Sequence, residues 1–152
     1  MYWWDLLFSY LHYVAIFAFL ACLVAELLLY QPPFDERRAR ALGMVDLAYL
    51  FVAIFLFGAG FMRLWVSPKT GDFFWRNGFF YVKIACGTMI GLLSIIPTMH
   101  YYRYGKALAQ GSAPVIALVE ERRIRGYIVA QLVLACLMPL WGLLMARAHW
   151  LF

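Results

Sequence analysis

The sequence predicts an all-α integral membrane protein, a four-helix bundle whose helices run up-down-up-down through the bilayer. Hydrophobic residues make up 66% of the 152 residues and charged residues only 14%, whereas a soluble domain carries about 25% charged residues. The apolar residues fall into four runs, each near the roughly 20 residues that a helix needs to cross the hydrocarbon core. None of the runs alternates as the strands of a membrane β-barrel do. This composition excludes a soluble enzyme and a nucleic-acid-binding module, and it predicts one transmembrane domain over residues 1–152.

The four apolar runs define predicted spans one to four, in chain order. They cover approximately residues 6–30, 44–66, 79–99 and 126–146. Prolines follow the first two spans, and Pro97 and Pro139 interrupt the last two, where we expect kinks because proline removes a backbone donor. Asp35 is a predicted N-cap for a helix that continues into span two.

The basic residues predict the orientation of the bundle. Eight of them lie in the connections that follow spans one and three: Arg37, Arg38, Arg40, Arg103, Lys106, Arg122, Arg123 and Arg125. Only four lie at the other end of the spans. Because cytoplasmic loops of membrane proteins are enriched in Lys and Arg, we expect both basic connections in the cytoplasm and both termini on the opposite side.

Ionisable residues inside the spans are the candidates for function, since each costs about 2.5–3.5 kcal/mol in the bilayer centre. In the half of the membrane next to the termini these are His12, Arg63 and Lys83, with His149 near the end of the chain. For His12 three interpretations stay open: a haem ligand, a proton relay, or a structural residue bonded to its neighbours. Arg63 and Lys83 either bind an anion or extend their long side chains to the interface.

A second set of polar residues lies in the half next to the basic connections. Glu26 and Asp46 lead it, and the predicted polar intramembrane network is completed by Ser94, His100 and Gln131. The two carboxylates either pair with arginines of the connections or form a proton or metal site. His12 and Glu26 are fourteen residues apart, about 40° short of four whole turns, so both should face the inside of the bundle.

Two glycines in span three permit a close approach of another group. Gly87 and Gly91 lie on the helical face of Lys83 and Ser94 and form a GxxxG pattern, which is typical of close helix packing. The same absence of side chains would also accommodate a flat macrocycle, so both interpretations stay open.

Several motifs together resemble a family of bacterial four-span membrane proteins grouped under a domain of unknown function, over nearly the whole chain. The motifs are Tyr10-Leu11-His12, Ala25-Glu26-Leu27, Asp46, the segment from Gly60 to Arg63, Phe80-Tyr81-Val82-Lys83, and Ser94-Ile95-Ile96-Pro97-Thr98. The resemblance implies the bacterial inner (cytoplasmic) membrane, and the orientation predicted from the basic residues then places both termini in the periplasm.

More remotely, the order of the motifs is similar to HemJ-type protoporphyrinogen oxidases and CopD-type copper-resistance membrane proteins. Leu11-His12 matches the Leu-His pair that supplies a haem ligand in the HemJ-type group, and Lys83 matches a lysine that opens a later span. The Trp-His-x-Lys form of that later motif is Phe80-Tyr81-Val82-Lys83 here. Through the match of Leu11-His12 to the pair that supplies a haem ligand, the resemblance implies haem b as the cofactor.

Three functional hypotheses follow. The first is a haem-b-binding electron-transfer or oxidoreductase protein that interacts with a quinone or a porphyrin-like lipophilic partner. In it His12 is an axial ligand, His149 a candidate second ligand, and Arg63 and Lys83 bind the propionates. The second is a non-catalytic accessory subunit or assembly factor of a membrane complex, and the third a small metal or proton transporter. The expected partners are the lipid bilayer, a quinone or membrane protein, and a second copy of the chain, but no nucleic acid.

Overall fold

A computed structural model describes residues 2–31, 35–67, 69, 71–112 and 118–147. Its helices are α1 (Tyr2–Leu29), α2 (Glu36–Val66), α3 (Gly71–Trp75), α4 (Gly78–Ala109) and α5 (Leu118–Arg147). The four long helices are long and apolar enough to cross a membrane. They correspond one to one to the predicted spans, and they confirm the all-α four-helix bundle.

The four long helices form a ring. Pairs α1–α2 and α4–α5 pack most extensively, and contacts of α2 with α4 and of α1 with α5 close the ring. We call the end with the α1–α2 and α4–α5 connections the basic end. The opposite end, which holds the start of α1, helix α3 and the end of α5, is the terminal end.

The helices are longer than the apolar runs, mostly at the basic end. Helix α2 begins at Glu36, where the Asp35 side chain accepts a hydrogen bond from the backbone N–H of Arg38 at 2.8 Å. This confirms the predicted N-cap. Helices α4 and α5 continue through Pro97 and Pro139. The short helix α3 was not predicted, because five residues carry too little periodicity to be recognised.

Large apolar side chains cover the outside of the bundle, and the inside holds two small buried clusters. One lies near the basic end and contains Tyr30, Ala39, Leu42, Tyr101, Tyr104, Ile124 and Ile128. The other lies deeper and contains Phe19, Leu23, Tyr49, Ile90 and Ala135. Exposed apolar residues are stable on this surface only because lipid surrounds it.

The two glycines of α4 have different surroundings. A Cβ atom on Gly87 would lie 3.4 Å from the ring of Phe57 and 3.7 Å from Met138, so this glycine permits the packing of α2 and α5 against α4. Gly91 is exposed and has nothing within 4 Å of such an atom. The expectation that both glycines share one packing face is therefore wrong for Gly91. Four residues turn a helix by about 400°, so Gly91 lies about 40° further around the axis of α4 than Gly87. This rotation is enough to place Gly91 outside the contact of α4 with α2 and α5.

Candidate functional site

His12 lies inside the bundle, where α1 crosses α2. Its side chain is 7% exposed, and Gly60 of α2 provides the space for its ring. A Cβ atom at Gly60 would lie 3.1 Å from Cε1 and 3.4 Å from Nδ1 of His12. The carbonyl of Leu56 lies near the imidazole, but Nδ1 is buried without a hydrogen-bond partner of normal geometry. The contact with Gly60 and the nearby carbonyl of Leu56 thus fix the position of the His12 ring.

Two cationic side chains approach His12 from other helices. Arg63 lies in the last turn of α2 and Lys83 in the second turn of α4, and the charges of both act on the imidazole. Both side chains are half-buried, and the Nε atom of Arg63 has no hydrogen-bond partner. We call His12, Arg63 and Lys83 the outer cluster. The structure brings these three predicted residues together.

Unpaired buried polar atoms are concentrated in the terminal half of the bundle. Besides Nδ1 of His12 and Nε of Arg63, they include Oδ1 of Asp5 and Nε1 of Trp141. Buried polar groups of native proteins normally have a partner, so each exception calls for an explanation such as water, an ion or a ligand. Three of these four atoms belong to side chains that can donate a hydrogen bond to an acidic group.

Glu26 and Asp46 form the centre of a second polar cluster, nearer the basic end. Glu26 is 3% exposed; its Oε2 accepts a hydrogen bond from the Tyr101 hydroxyl at 3.4 Å, and its Oε1 has no partner. Asp46 is close enough for its charge to act on Glu26, and its Oδ1 accepts a 2.7 Å hydrogen bond from Thr98. The two carboxylates therefore share one site, which we call the inner cluster.

The inner cluster is extended by Tyr49. Its hydroxyl donates a 3.1 Å hydrogen bond to Oε1 of Gln131, which is 1% exposed, and Ser94 lies beside the same hydroxyl. The charges of Glu26 and Asp46 also act on Tyr49. Ser94 and Gln131, both expected in the polar network, are thus connected to the two carboxylates through a tyrosine.

Neither carboxylate pairs with an arginine, contrary to one of the two interpretations. The ion pairs among the described residues are Arg40 with Glu36 on the surface of α2 and His100 with Glu120. The arginines of the two basic connections lie at the basic end. One of them, Arg125, donates a 3.2 Å hydrogen bond to the backbone carbonyl of Tyr30 and not to either carboxylate.

The structure places His100 outside the inner cluster. Its Nδ1 lies 2.6 Å from Oε1 of Glu120, at the first turn of α5. The same carboxylate oxygen accepts a 3.1 Å hydrogen bond from Tyr104, whose hydroxyl lies 2.9 Å from that of Tyr30. His100 therefore belongs to a polar chain at the basic end. His149 lies outside the described residues.

An apolar layer separates the two clusters. His12 and Glu26 lie on one face of α1, as predicted, and between them this face presents Phe19 and Leu23, which are both buried. Fourteen residues of helix correspond to about 21 Å at 1.5 Å per residue. The ring of Phe19 lies 4.8 Å from that of Tyr49, so aromatic packing fills the middle of the bundle.

The family comparison agrees with this architecture. The model of a family described as "Predicted membrane protein (DUF2214)" matches residues 4–148. The chain belongs to this family. The match spans all four long helices and the residues of both clusters, and it confirms the resemblance to a four-span family of unknown function. Neither a curated protein nor a solved structure matches the chain.

In this family member, the residues that the sequence analysis missed are tyrosines. Tyr30, Tyr49, Tyr101 and Tyr104 are all buried, and the hydroxyl of each takes part in a hydrogen bond that joins two parts of the bundle. Tyrosine is common at membrane interfaces, so these residues were indistinguishable from the general aromatic excess. Tyr101 and Tyr104 are three residues apart, which places both on one face of α4. This spacing is a signal in the sequence that could have identified them.

Proposed function

We propose that this membrane protein binds haem b at the outer cluster and transfers electrons to or from a lipophilic partner such as a quinone or a porphyrin-like molecule. The observation that carries the proposal is the convergence of His12, Arg63 and Lys83 from three helices. A histidine imidazole held inside a helical bundle is the donor that haem iron takes in many haem proteins. Arginine and lysine form charge-assisted hydrogen bonds with carboxylates such as the propionates.

The residues present fit haem b in their chemistry. His12 would hold the iron, and Arg63 and Lys83 would hold the propionates. Gly60 seats the imidazole ring against α2 and would fix the orientation of this ligand. His149 remains the predicted second ligand.

When bound, haem supplies a one-electron redox couple, and the protein determines its position and surroundings. His12 is held by the contact of its ring with Gly60. Arg63 and Lys83 would balance the charges of the propionates in a medium where unpaired charge is costly. The packed layer around Phe19 separates the outer cluster from the inner carboxylates. The topology, with the basic end in the cytoplasm of a bacterial inner membrane, is part of the proposal.

The proposal is tested by the absorption spectrum of the protein purified from haem-replete cells. We expect a Soret band in the wild type that is lost in His12→Ala. His100→Ala is the matched control, because this second histidine lies at the opposite end of the bundle and should leave the band unchanged. Arg63→Gln and Lys83→Gln should each lower the haem content. A colourless wild-type protein from such cells would exclude the proposal.

A further inference from the structure

Glu26 is a carboxyl group in a place that strongly disfavours a charge. It is 3% exposed, lies within a membrane-spanning helix, and has one oxygen without a partner. Its other oxygen accepts only the 3.4 Å bond from Tyr101, which is at the long limit of a hydrogen bond. A carboxylate with so few donors around it needs a counter-charge.

The surroundings of Glu26 provide no basic counter-charge among the described residues. Glu26 interacts, through its charge or a hydrogen bond, with four titratable residues. They are Cys22 of α1, Asp46 and Tyr49 of α2, and Tyr101 of α4. From α5 the cluster contains Gln131, which does not titrate. Asp46 is another acidic group whose charge acts on Glu26, and in a low dielectric such interacting carboxyl groups do not both ionise, so a proton is the simplest counter-charge.

A line of tyrosines connects this carboxyl group with the basic end. Tyr101 bonds to Glu26; the ring of Tyr101 lies 6.0 Å from the ring of Tyr30; and the Tyr30 hydroxyl lies 2.9 Å from that of Tyr104. Tyr104 donates to Glu120 at 3.1 Å, and Glu120 pairs with His100. We call Tyr101, Tyr30 and Tyr104 the tyrosine ladder.

We propose that Glu26, together with Asp46, is a proton-loading site that exchanges its proton with the basic end of the bundle through the tyrosine ladder. The inference goes beyond the haem proposal and does not depend on it, since it uses none of the residues of the outer cluster. The species bound is a proton, and its donor and acceptor at the surface is the pair of Glu120 and His100.

The transfer is balanced along the ladder. The Tyr104 hydroxyl donates to Glu120, so it first rotates towards Tyr30. A proton from the His100–Glu120 pair then passes to the Tyr104 oxygen while Tyr104 releases its own hydroxyl proton to Tyr30, and Tyr30 and Tyr101 repeat the exchange until Glu26 is protonated. Each tyrosine ends unchanged, and the surface pair loses one proton. The link between Tyr30 and Tyr101 is a ring contact, so this step requires a hydroxyl rotation or a bridging water.

The site opens to one end only. Beyond Glu26, towards the outer cluster, the buried residues Phe19 and Leu23 fill the same face of α1, and the next ionisable residue on that face is His12. The ladder therefore loads and unloads Glu26 from the basic end, and the apolar layer prevents passage of the proton to the terminal end.

Infrared spectroscopy of the purified protein in lipid films tests the inference. At neutral pH the wild type should show the stretch of a protonated carboxyl group, and Glu26→Gln should remove it. After transfer to heavy water, Tyr101→Phe and Tyr104→Phe should slow the isotope shift of this band at least about tenfold, equivalent to about 1.4 kcal/mol in the barrier. Tyr102→Phe is the matched control, because Tyr102 is an exposed neighbour on the same helix, and its exchange should stay at the wild-type rate.

Four results would overturn the inference. They are the absence of the band from the wild type, its persistence in Glu26→Gln, equal exchange rates in the Tyr101, Tyr104 and Tyr102 variants, and a band that appears only when Na⁺ is removed. The last result would identify Na⁺ as the occupant. The tyrosine variants retain Glu26 and therefore test the ladder even if Glu26→Gln does not fold. Haem content should be unchanged in all of these variants, which separates a failure here from a failure of the haem proposal.

Discussion

Substitution of Gly60 by alanine tests whether the position of His12 depends on a glycine in α2. The added Cβ would lie 3.1 Å from Cε1 of His12, which is closer than ordinary van der Waals contact, and 3.4 Å from Nδ1, which is at the lower limit of such contact. Overpacking of this kind costs about 1–3 kcal/mol. Alanine in place of glycine within a helix stabilises by about 0.5–1 kcal/mol. We therefore expect a net destabilisation of up to about 2.5 kcal/mol in Gly60→Ala.

Gly58→Ala is the matched control for this substitution. Gly58 lies in the same helix, two residues earlier, and a Cβ atom added there would have nothing within 4 Å. The helix-propensity gain is the same at both positions, so the difference between the two variants isolates the contact with His12. We expect this difference to be about 1–3 kcal/mol.

The assay is the free energy of unfolding in mixed micelles, followed by circular dichroism while a denaturing detergent is added. The double variant His12→Ala/Gly60→Ala completes a mutant cycle. Without the imidazole, the alanine at position 60 has no close neighbour and should behave as the one at position 58 does. Equal effects of the two single alanine variants, or a Gly60 effect that persists without His12, would refute the reasoning.

Three further predictions concern the inner cluster, a helix cap and the orientation. Tyr49→Phe should lower the free energy of unfolding by about 1–3 kcal/mol, because it leaves the buried Gln131 amide oxygen without its donor, and the double variant with Gln131→Leu should cost less than the sum of the single changes. Asn77→Ala should cost about 0.5–2 kcal/mol in the same unfolding assay, since it removes the N-cap of α4; a cost below that of a surface alanine control would contradict the assignment. In right-side-out vesicles, an impermeant thiol reagent should label Lys69→Cys but not Ser112→Cys, and the reverse pattern would invert the predicted topology.

The fold was predictable because the membrane imposes it. Four apolar runs of sufficient length specify four helices regardless of side-chain detail, and all four helices are where the spans were expected. The helix ends were less accurate, because helices such as α4 extend past the apolar run into polar surroundings, where composition no longer marks the boundary.

The candidate sites were predictable in part. An ionisable residue within an apolar run is conspicuous, and this identified His12, Lys83, Glu26 and Asp46 without a structure. The partners were not predictable, because a contact such as that of Glu26 with Tyr101 joins residues 75 positions apart. The rotation of each helix decides such contacts, and a uniformly apolar helix carries little periodic signal from which to derive that rotation.

Binding of haemin to the purified protein is the most direct test of the central claim, that His12 holds haem b at the outer cluster. Titration of haem-free protein in micelles, followed by the Soret absorbance, gives stoichiometry and affinity. We predict one haem per chain in the wild type and in His100→Ala. In His12→Ala we predict an affinity at least about tenfold weaker, since loss of an axial ligand should cost no less than loss of the groups that orient one. Equal affinities of wild type and His12→Ala would contradict the claim.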